Sequence, residues 1–233
     1  VYSLALETSG RVGSVAICRD GTLVAEREYP HGLQHAAALV PLIDELAASL
    51  GLRAKDFREL YVSVGPGSFT GIRVGVTLAK TLAFATCATI VAVPTVRVLV
   101  ENAASDATNA IVVLDAKRGQ IFTARFARQN GEWREAEPAH LDTLAAMLVR
   151  APRPVHLIGE GIDFHRDAIP AGDASIVACD PSTWRARASV VARLGHAMAR
   201  RGEKTDPLAL SPIYIRLAEA EEKRLASLNS GTN

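Results

Sequence analysis

Glu59-Leu60-Tyr61-Val62-Ser63-Val64 runs straight into Gly65-Pro66-Gly67-Ser68-Phe69-Thr70-Gly71, and Ile72 to Thr86 follows. The first run is short, mostly apolar and bounded by turn residues, so it predicts a buried strand. The glycine-rich run predicts a tight turn. The stretch after it has helical apolar spacing, with Ser68 or Thr70 as the N-cap. A strand that turns at once into a helix is the building unit of an α/β protein.

Upstream, Ser3–Thr8, Ser14–Arg19 and Thr22–Tyr29 read as three strands, the last two joined by Asp20-Gly21, a strong two-residue hairpin signal. Leu33–Leu50 then places Ala36, Leu39, Val40, Ile43, Leu46, Ala47 and Leu50 at the spacing of an amphipathic helix, with Pro41 inside it and Gly51 capping its end. Downstream, a strand at Thr89–Val93 and a helix from Thr95 to about Ala104 close the first half. The second half begins the same way, with strands at Ala110–Asp115, Gln120–Arg128 and near Trp133, the last turn being Asn130-Gly131. A helix at Asp142–Arg150, a strand at Val155–Ile158 and a long helix over about Ser182–Arg201 follow. Strand, strand, strand, helix, strand, helix therefore occurs twice, which predicts two copies of one mixed α/β unit. The expected units are residues 1–109, residues 110–217 with a last short strand at Pro212–Arg216, and a frayed tail at 218–233.

The 233 residues are 48% apolar and 22% charged with 17 Gly, a balance that excludes wholesale disorder, collagen-like repeats and coiled coil. Basic and acidic residues number 26 and 25, and neither half carries the basic excess of an autonomous nucleic-acid binder. Cys18, Cys87 and Cys179 are odd in number and far apart, which argues against a disulfide framework or a zinc knuckle and fits a reducing cytoplasm. The longest uncharged stretch, Thr81–Val96, falls short of the roughly 20 residues that span a bilayer and contains Pro94. Val1–Thr8 has no basic run ahead of an apolar one, so no secretory signal is expected there.

The Gly65–Gly71 loop sits where an α/β protein can cradle a phosphate at a helix N-terminus. It has neither the lysine of a P-loop nor G-x-G-x-x-G spacing, so a close-packed turn and an anion site both stay open. Gly71, Gly75, Ala79 and Ala83 recur every four residues and place four small side chains in one row. Val74, Leu78, Leu82 and Ala85 are enough to bury against a sheet, which leaves the small row as a second internal contact or an outward docking surface. Arg73 and Lys80 exclude a membrane helix. His31 and His35 have the i, i+4 spacing of metal ligands, but Pro30 and Gly32 set His31 ahead of the helix and no third ligand is in register. Glu7 and Asp115 each end the first strand of their half, where nucleotide-binding α/β enzymes set a magnesium carboxylate. A solvated strand-end charge is the commoner role. The arginines at 185, 187, 193, 200 and 201 make the last long helix basic, a pattern that a solvated face explains better than RNA contact.

Ala5-Leu6-Glu7-Thr8-Ser9 with Gly13-Ser14-Val15-Ala16, His35 with Leu39-Val40-Pro41-Leu42-Ile43, Gly65 through Gly75, Asp115 through Ile121 and Pro212-Ile213-Tyr214-Ile215-Arg216 occur in one order. Together they resemble the TsaB (YeaZ) family, whose members are required for threonylcarbamoyladenosine at position 37 of tRNA. The resemblance implies an actin-like, Hsp70-like fold of two related lobes in a cytoplasmic, non-catalytic subunit without a cofactor of its own. It implies pairing with the paralogue TsaD, which holds the metal and performs the transfer, in an assembly joined by the ATPase TsaE, with tRNA met through the complex. The family contact uses the first two helices, so His35, Leu39, Ile43, Gly71, Ile72, Gly75, Ala79 and Ala83 are expected to face the partner. Whether the isolated chain homodimerises through the same helices stays open. Glu7 stands where the family commonly has Asp, which weakens the alternative, an actin-like ATPase or kinase using Glu7, Gly65, Gly67 and Ser68 on nucleotide.

Overall fold

The computed structural model describes residues 1–30 and 35–216, with side chains omitted for Pro30 and residues 35–37. His31, Leu33 and the 218–233 tail lie outside the described residues, so the His31/His35 pairing is not addressed. The first half comprises β1 (Tyr2–Glu7), β2 (Val12–Arg19), β3 (Thr22–Pro30), α1 (His35–Ser49), β4 (Phe57–Ser63), α2 (Phe69–Thr86), β5 (Thr89–Val93) and α3 (Thr95–Val100). The second comprises β6 (Asn109–Asp115), β7 (Ile121–Gln129), β8 (Glu132–Asp142), α4 (Leu144–Arg150), β9 (Val155–Ile158), β10 (Ile176–Ala178) and α5 (Ala188–Arg200).

The two sheets repeat one topology. The first has the order β3-β2-β1-β4-β5 and the second, read from its other edge, β8-β7-β6-β9-β10. In each, the meander is antiparallel, the first crossover strand pairs parallel to the meander's first strand, and the second crossover strand pairs parallel to the first crossover strand. Both predicted hairpin turns place Asp-Gly and Asn-Gly at positive φ, as the two-residue turn requires. The copies differ at the second crossover. Where α2 joins β4 to β5, short 3-10 turns over Glu160–Phe164 and Arg166–Ala168 join β9 to β10, a strand too short to be read from the sequence. The helix expected from Ser182 starts at Ala188, after a 3-10 turn at Pro181–Thr183.

Strand alternation divides the first sheet between two cores. Leu4, Leu6, Val15, Ile17, Leu60 and Val62 face α1 and α2. Ala5, Ala16, Cys18, Tyr61, Val91 and Val93 face the other way, into one apolar cluster that continues through Ile111, Val113, Phe126 and Leu157 of the second sheet. The chain also crosses the expected division at 109/110 a second time, because α5 packs on β1, β2, β4 and β5 of the first sheet. Gly195 brings α5 down on Tyr61, whose ring would lie 2.5 Å from an added Cβ. The two orphan amides at the start of α5 are taken by Ser14 Oγ, which accepts from Ala188 N at 2.8 Å, and by a Glu26 carboxylate oxygen, which accepts from Ser189 N at 2.8 Å.

Residues 205–216 run back over the first lobe as a strap and form no regular strand at Pro212–Arg216. Thr205 bridges to Ile90 on the edge strand β5, Leu210 is buried among the α1/α2 core residues, and Ile213 N donates to Val64 O at 2.7 Å. Arg216 then reaches the β6–β7 turn, bonding Ala116 O and Gln120 Oε1.

The small row of α2 faces inward. A Cβ on Gly71 would lie 2.0 Å from Thr8 O and one on Gly75 2.4 Å from Thr8 Oγ1, while Ala79 and Ala83 are buried against the sheet. The outward placement expected for Gly71, Gly75, Ala79 and Ala83 is therefore corrected: helix and strand end approach too closely for anything larger. We expect Gly75→Leu to destabilise the chain by about 3 kcal/mol or more, above the usual overpacking range because the obstacle is at a strand end tied to the loop. Chemical denaturation would measure it, and wild-type stability would show that the row does not pack on Thr8.

Candidate functional site

Turning the small row inward turns another face of α2 outward. Ser68 Oγ caps the helix by accepting from Gly71 N at 3.3 Å, and Ser68 N donates to Ser9 O at 2.7 Å, which fixes the rotation of α2 against the end of β1. Ile72, Val76, Ala79 and Ala83 then point into the core, and Arg73, Thr77 and Thr81 are exposed. Val74, Leu78 and Leu82, expected to carry the sheet contact, are only half-buried.

With Leu39 and Val40 of α1, the residues Arg73, Val74, Thr77, Leu78 and Thr81 line an open groove of about 340 Å³. Val40 is 53% exposed, and Phe84, two turns farther along α2, is 62% exposed. Of the residues expected to face a partner, Leu39, Ile43 and Ile72 are buried core residues, Leu39 alone also reaching the groove floor. His35 opens α1. The outward face was signalled by polar residues at 73, 77 and 81, which share the four-residue spacing of the small row on the opposite side of the helix.

A second concavity of about 230 Å³ lies between the lobes, lined by Ser9, Gly10, Arg11, Gly67 and Ser68 on one side and Leu114, Asp115, Lys117, Glu160 and Phe164 on the other. Its charges are already matched. Lys117 Nζ lies 2.7 Å from Asp115 Oδ2, and Arg11 Nε lies 3.9 Å from Glu160 Oε2 across the cleft. Both cations also stand over the half-exposed Phe164 ring, at 4.9 and 5.2 Å from its centre. Burial works to raise the Asp115 pKa, but the bonds from the Lys117 side chain and amide and from His165, at 3.3 Å, hold it below the usual range. Burial pushes Glu160 up.

Glu7 and Gly65 do not line the cleft. Gly65 is tied down instead, donating its N–H to Thr95 Oγ1 at 3.1 Å and accepting at its carbonyl from Thr95 N at 2.8 Å. The Glu7 side chain is fully buried. Its Oε1 accepts from Ser9 N at 2.6 Å and Ser9 Oγ at 2.5 Å, while Oε2 and the neighbouring Ser63 Oγ have no partner at bonding geometry. Desolvation raises the Glu7 pKa against the opposing pull of Ser63 and Ser9. A fully buried carboxyl bonded to its own turn does not fit a magnesium ligand. Among the described residues no three His, Cys, Asp or Glu side chains converge as a metal site, and no helix is long and apolar enough to cross a membrane.

Comparison with known proteins places this geometry in a family. The sequence model described as TsaD: tRNA N6-adenosine threonylcarbamoyltransferase matches residues 31–220. The chain is 32% identical to the tRNA threonylcarbamoyladenosine biosynthesis protein TsaB of Bacillus subtilis over 96% of this chain and 98% of that one. It is 31% identical to the protein of the same name from Escherichia coli over 58% of this chain and 59% of that one. The solved structure of YeaZ from Pseudomonas aeruginosa superposes with a TM-score of 0.77 at 23% identity, covering 91% of this chain and 99% of that one, and has the same fold.

The buried acid yields a signed expectation. Because the folded pKa of Glu7 exceeds the ordinary value of 4.5, folding keeps a proton that the unfolded chain releases above that pH. Stability linked to this group is complete below about pH 4.5 and is lost as pH rises toward the folded value. Glu7→Gln, whose amide can accept from Ser9 and donate to Ser63, should raise the melting temperature at pH 7.5 with the gain vanishing below pH 4.5. A loss of stability at pH 7.5 would show that the carboxylate is charged and needed.

Proposed function

The chain belongs to the TsaB family, and from that membership we propose that it is the non-catalytic activating subunit of the tRNA threonylcarbamoyladenosine transferase, docking on its paralogue TsaD through the groove between α1 and α2. The observation that carries the docking reading is the groove itself. Val40, Val74 and Leu78 leave apolar surface in solvent on two adjacent helices that also pack on the core through Leu39, Ile43, Ile72 and Val76. Exposed apolar surface of this kind marks an interaction site.

The transfer joins an activated threonylcarbamoyl carbonyl to the N6 amine of adenosine, and a catalytic subunit must orient that carbonyl and withdraw its charge. This chain has a sealed acid at Glu7, a cleft whose cations are paired, and a core shared between its lobes. Those features support a rigid scaffold over the ATPase or kinase alternative, which needs an accessible carboxylate and lobes that separate. In this reading TsaE joins the assembly, tRNA meets the complex, and two copies of this chain can pair through the same groove when TsaD is absent.

Purified TsaD should therefore modify tRNA poorly alone and gain activity as this chain is added, the gain following the amount of heterodimer. Val40→Asp and Thr77→Arg, both at exposed positions, should abolish the gain and the association while leaving the melting temperature near wild type. Mass spectrometry of digested tRNA reads the modification and calorimetry the binding. Full activation by both variants would overturn the docking site, and full TsaD activity without this chain would overturn the activating role.

A further inference from the structure

Several arginines of the chain are paired with carboxylates, and Arg73 is not one of them. Arg134, Arg150, Arg166, Arg193 and Arg201 each have a carboxylate oxygen within 2.9 Å. Arg73 has none among the described residues, although it is held as firmly as any of them. Its Nε donates to Tyr214 Oη at 2.7 Å, and its guanidinium carbon lies 3.8 Å from the centre of the Phe69 ring and 5.5 Å from that of Tyr214. The two rings themselves stand 5.1 Å apart. One edge of the guanidinium is thus fixed by the protein, and the four N–H donors of the two terminal nitrogens are left for something else.

We infer that Arg73 is the receptor for a side-chain carboxylate on the apolar helix that fills the α1/α2 groove, and that Tyr214 is the positioning residue that holds it in the receiving pose. The inference rests on the docking reading above and adds the chemistry of the partner. The terminal edge of a guanidinium matches a carboxylate with two parallel hydrogen bonds, and a side chain already immobilised loses less freedom on forming them. Among the described residues Arg73 is the one charged side chain lining a groove that otherwise offers Leu39, Val40, Val74 and Leu78 with the hydroxyls of Thr77 and Thr81. A single cation at the end of an apolar trough selects one acid on an amphipathic helix. A polyanion is disfavoured by the exposed Asp44 and Glu45, one turn beyond Val40 on α1.

Tyr214 arrives from the strap, 141 residues away in sequence. The strap is seated by buried Leu210, by Lys80 Nζ donating to Leu210 O at 2.9 Å, and by the Ile213 to Val64 bond. The receptor is thus assembled from the start of α2 and the far end of the described chain.

The test measures binding of full-length variants to the purified TsaD paralogue by calorimetry at low and high salt. Arg73→Met should weaken binding roughly tenfold or more and remove most of its salt dependence. Arg73→Lys should recover little, because an ammonium cannot form the paired bonds. Tyr214→Phe should weaken binding less, keep the salt dependence and leave the melting temperature unchanged. Arg73→Glu should be rescued by reversing one acidic residue on the partner helix. If Arg73→Met binds normally while Val40→Asp does not, docking stands and the carboxylate receptor falls. If both bind normally, the groove reading has failed first. If Arg73→Met binds TsaD normally but lowers the affinity of the complex for tRNA, the stack serves RNA and the inference is overturned.

Discussion

The end of β1 and the first turns of α2 come closer together than any two side chains with a Cβ would permit. Thr8 O and Thr8 Oγ1 occupy the space where side chains at 71 and 75 would sit, and Ser68 N is bonded to Ser9 O on the same strand end. That contact sets the rotation of α2 about its axis. From the rotation follow the buried set Ile72, Val76, Ala79 and Ala83, and the outward set Arg73, Thr77 and Thr81. The groove between α1 and α2, the floor of the interlobe cleft at Gly67 and Ser68, and the stacked Arg73 are three consequences of one steric constraint.

The same strand end explains why the cleft is quiet. Close packing around Thr8 and Ser9 draws the Glu7 carboxyl under the loop, where desolvation raises its pKa. The apolar cluster shared by the two sheets acts in the same direction. Separating the lobes would expose residues such as Tyr61, Val93, Ile111 and Phe126 to water, and the hydrophobic cost opposes it. Arg216 and α5 tie the two halves together as well.

The strands β1, β2 and β4, the Asp20-Gly21 and Asn130-Gly131 turns, and the Ser68 cap were all readable, because each depends on residues adjacent in the chain. The duplicated strand order was readable for the same reason, and both sheets carry it. The three-residue β10 and the 3-10 turns before it were not, since so short a segment has no period to detect. The apolar side chains at 74, 78 and 82 made a persuasive core face by themselves. They were misread because periodicity identifies faces without saying which one lies against the sheet.

By itself the sequence determined the elements, their duplication and the family, since local backbone preference and a long ordered set of motifs survive without knowledge of contacts. Only the tertiary structure decided which face of α2 is the inside, because that depends on the space left beside Thr8, a residue more than sixty positions away. It alone decided that Glu7 is sealed, since burial is a property of the whole packing. And it alone brought Tyr214 to Arg73, because the contact of a cation with a ring 141 residues away is settled by where the strap returns and leaves no trace in local spacing.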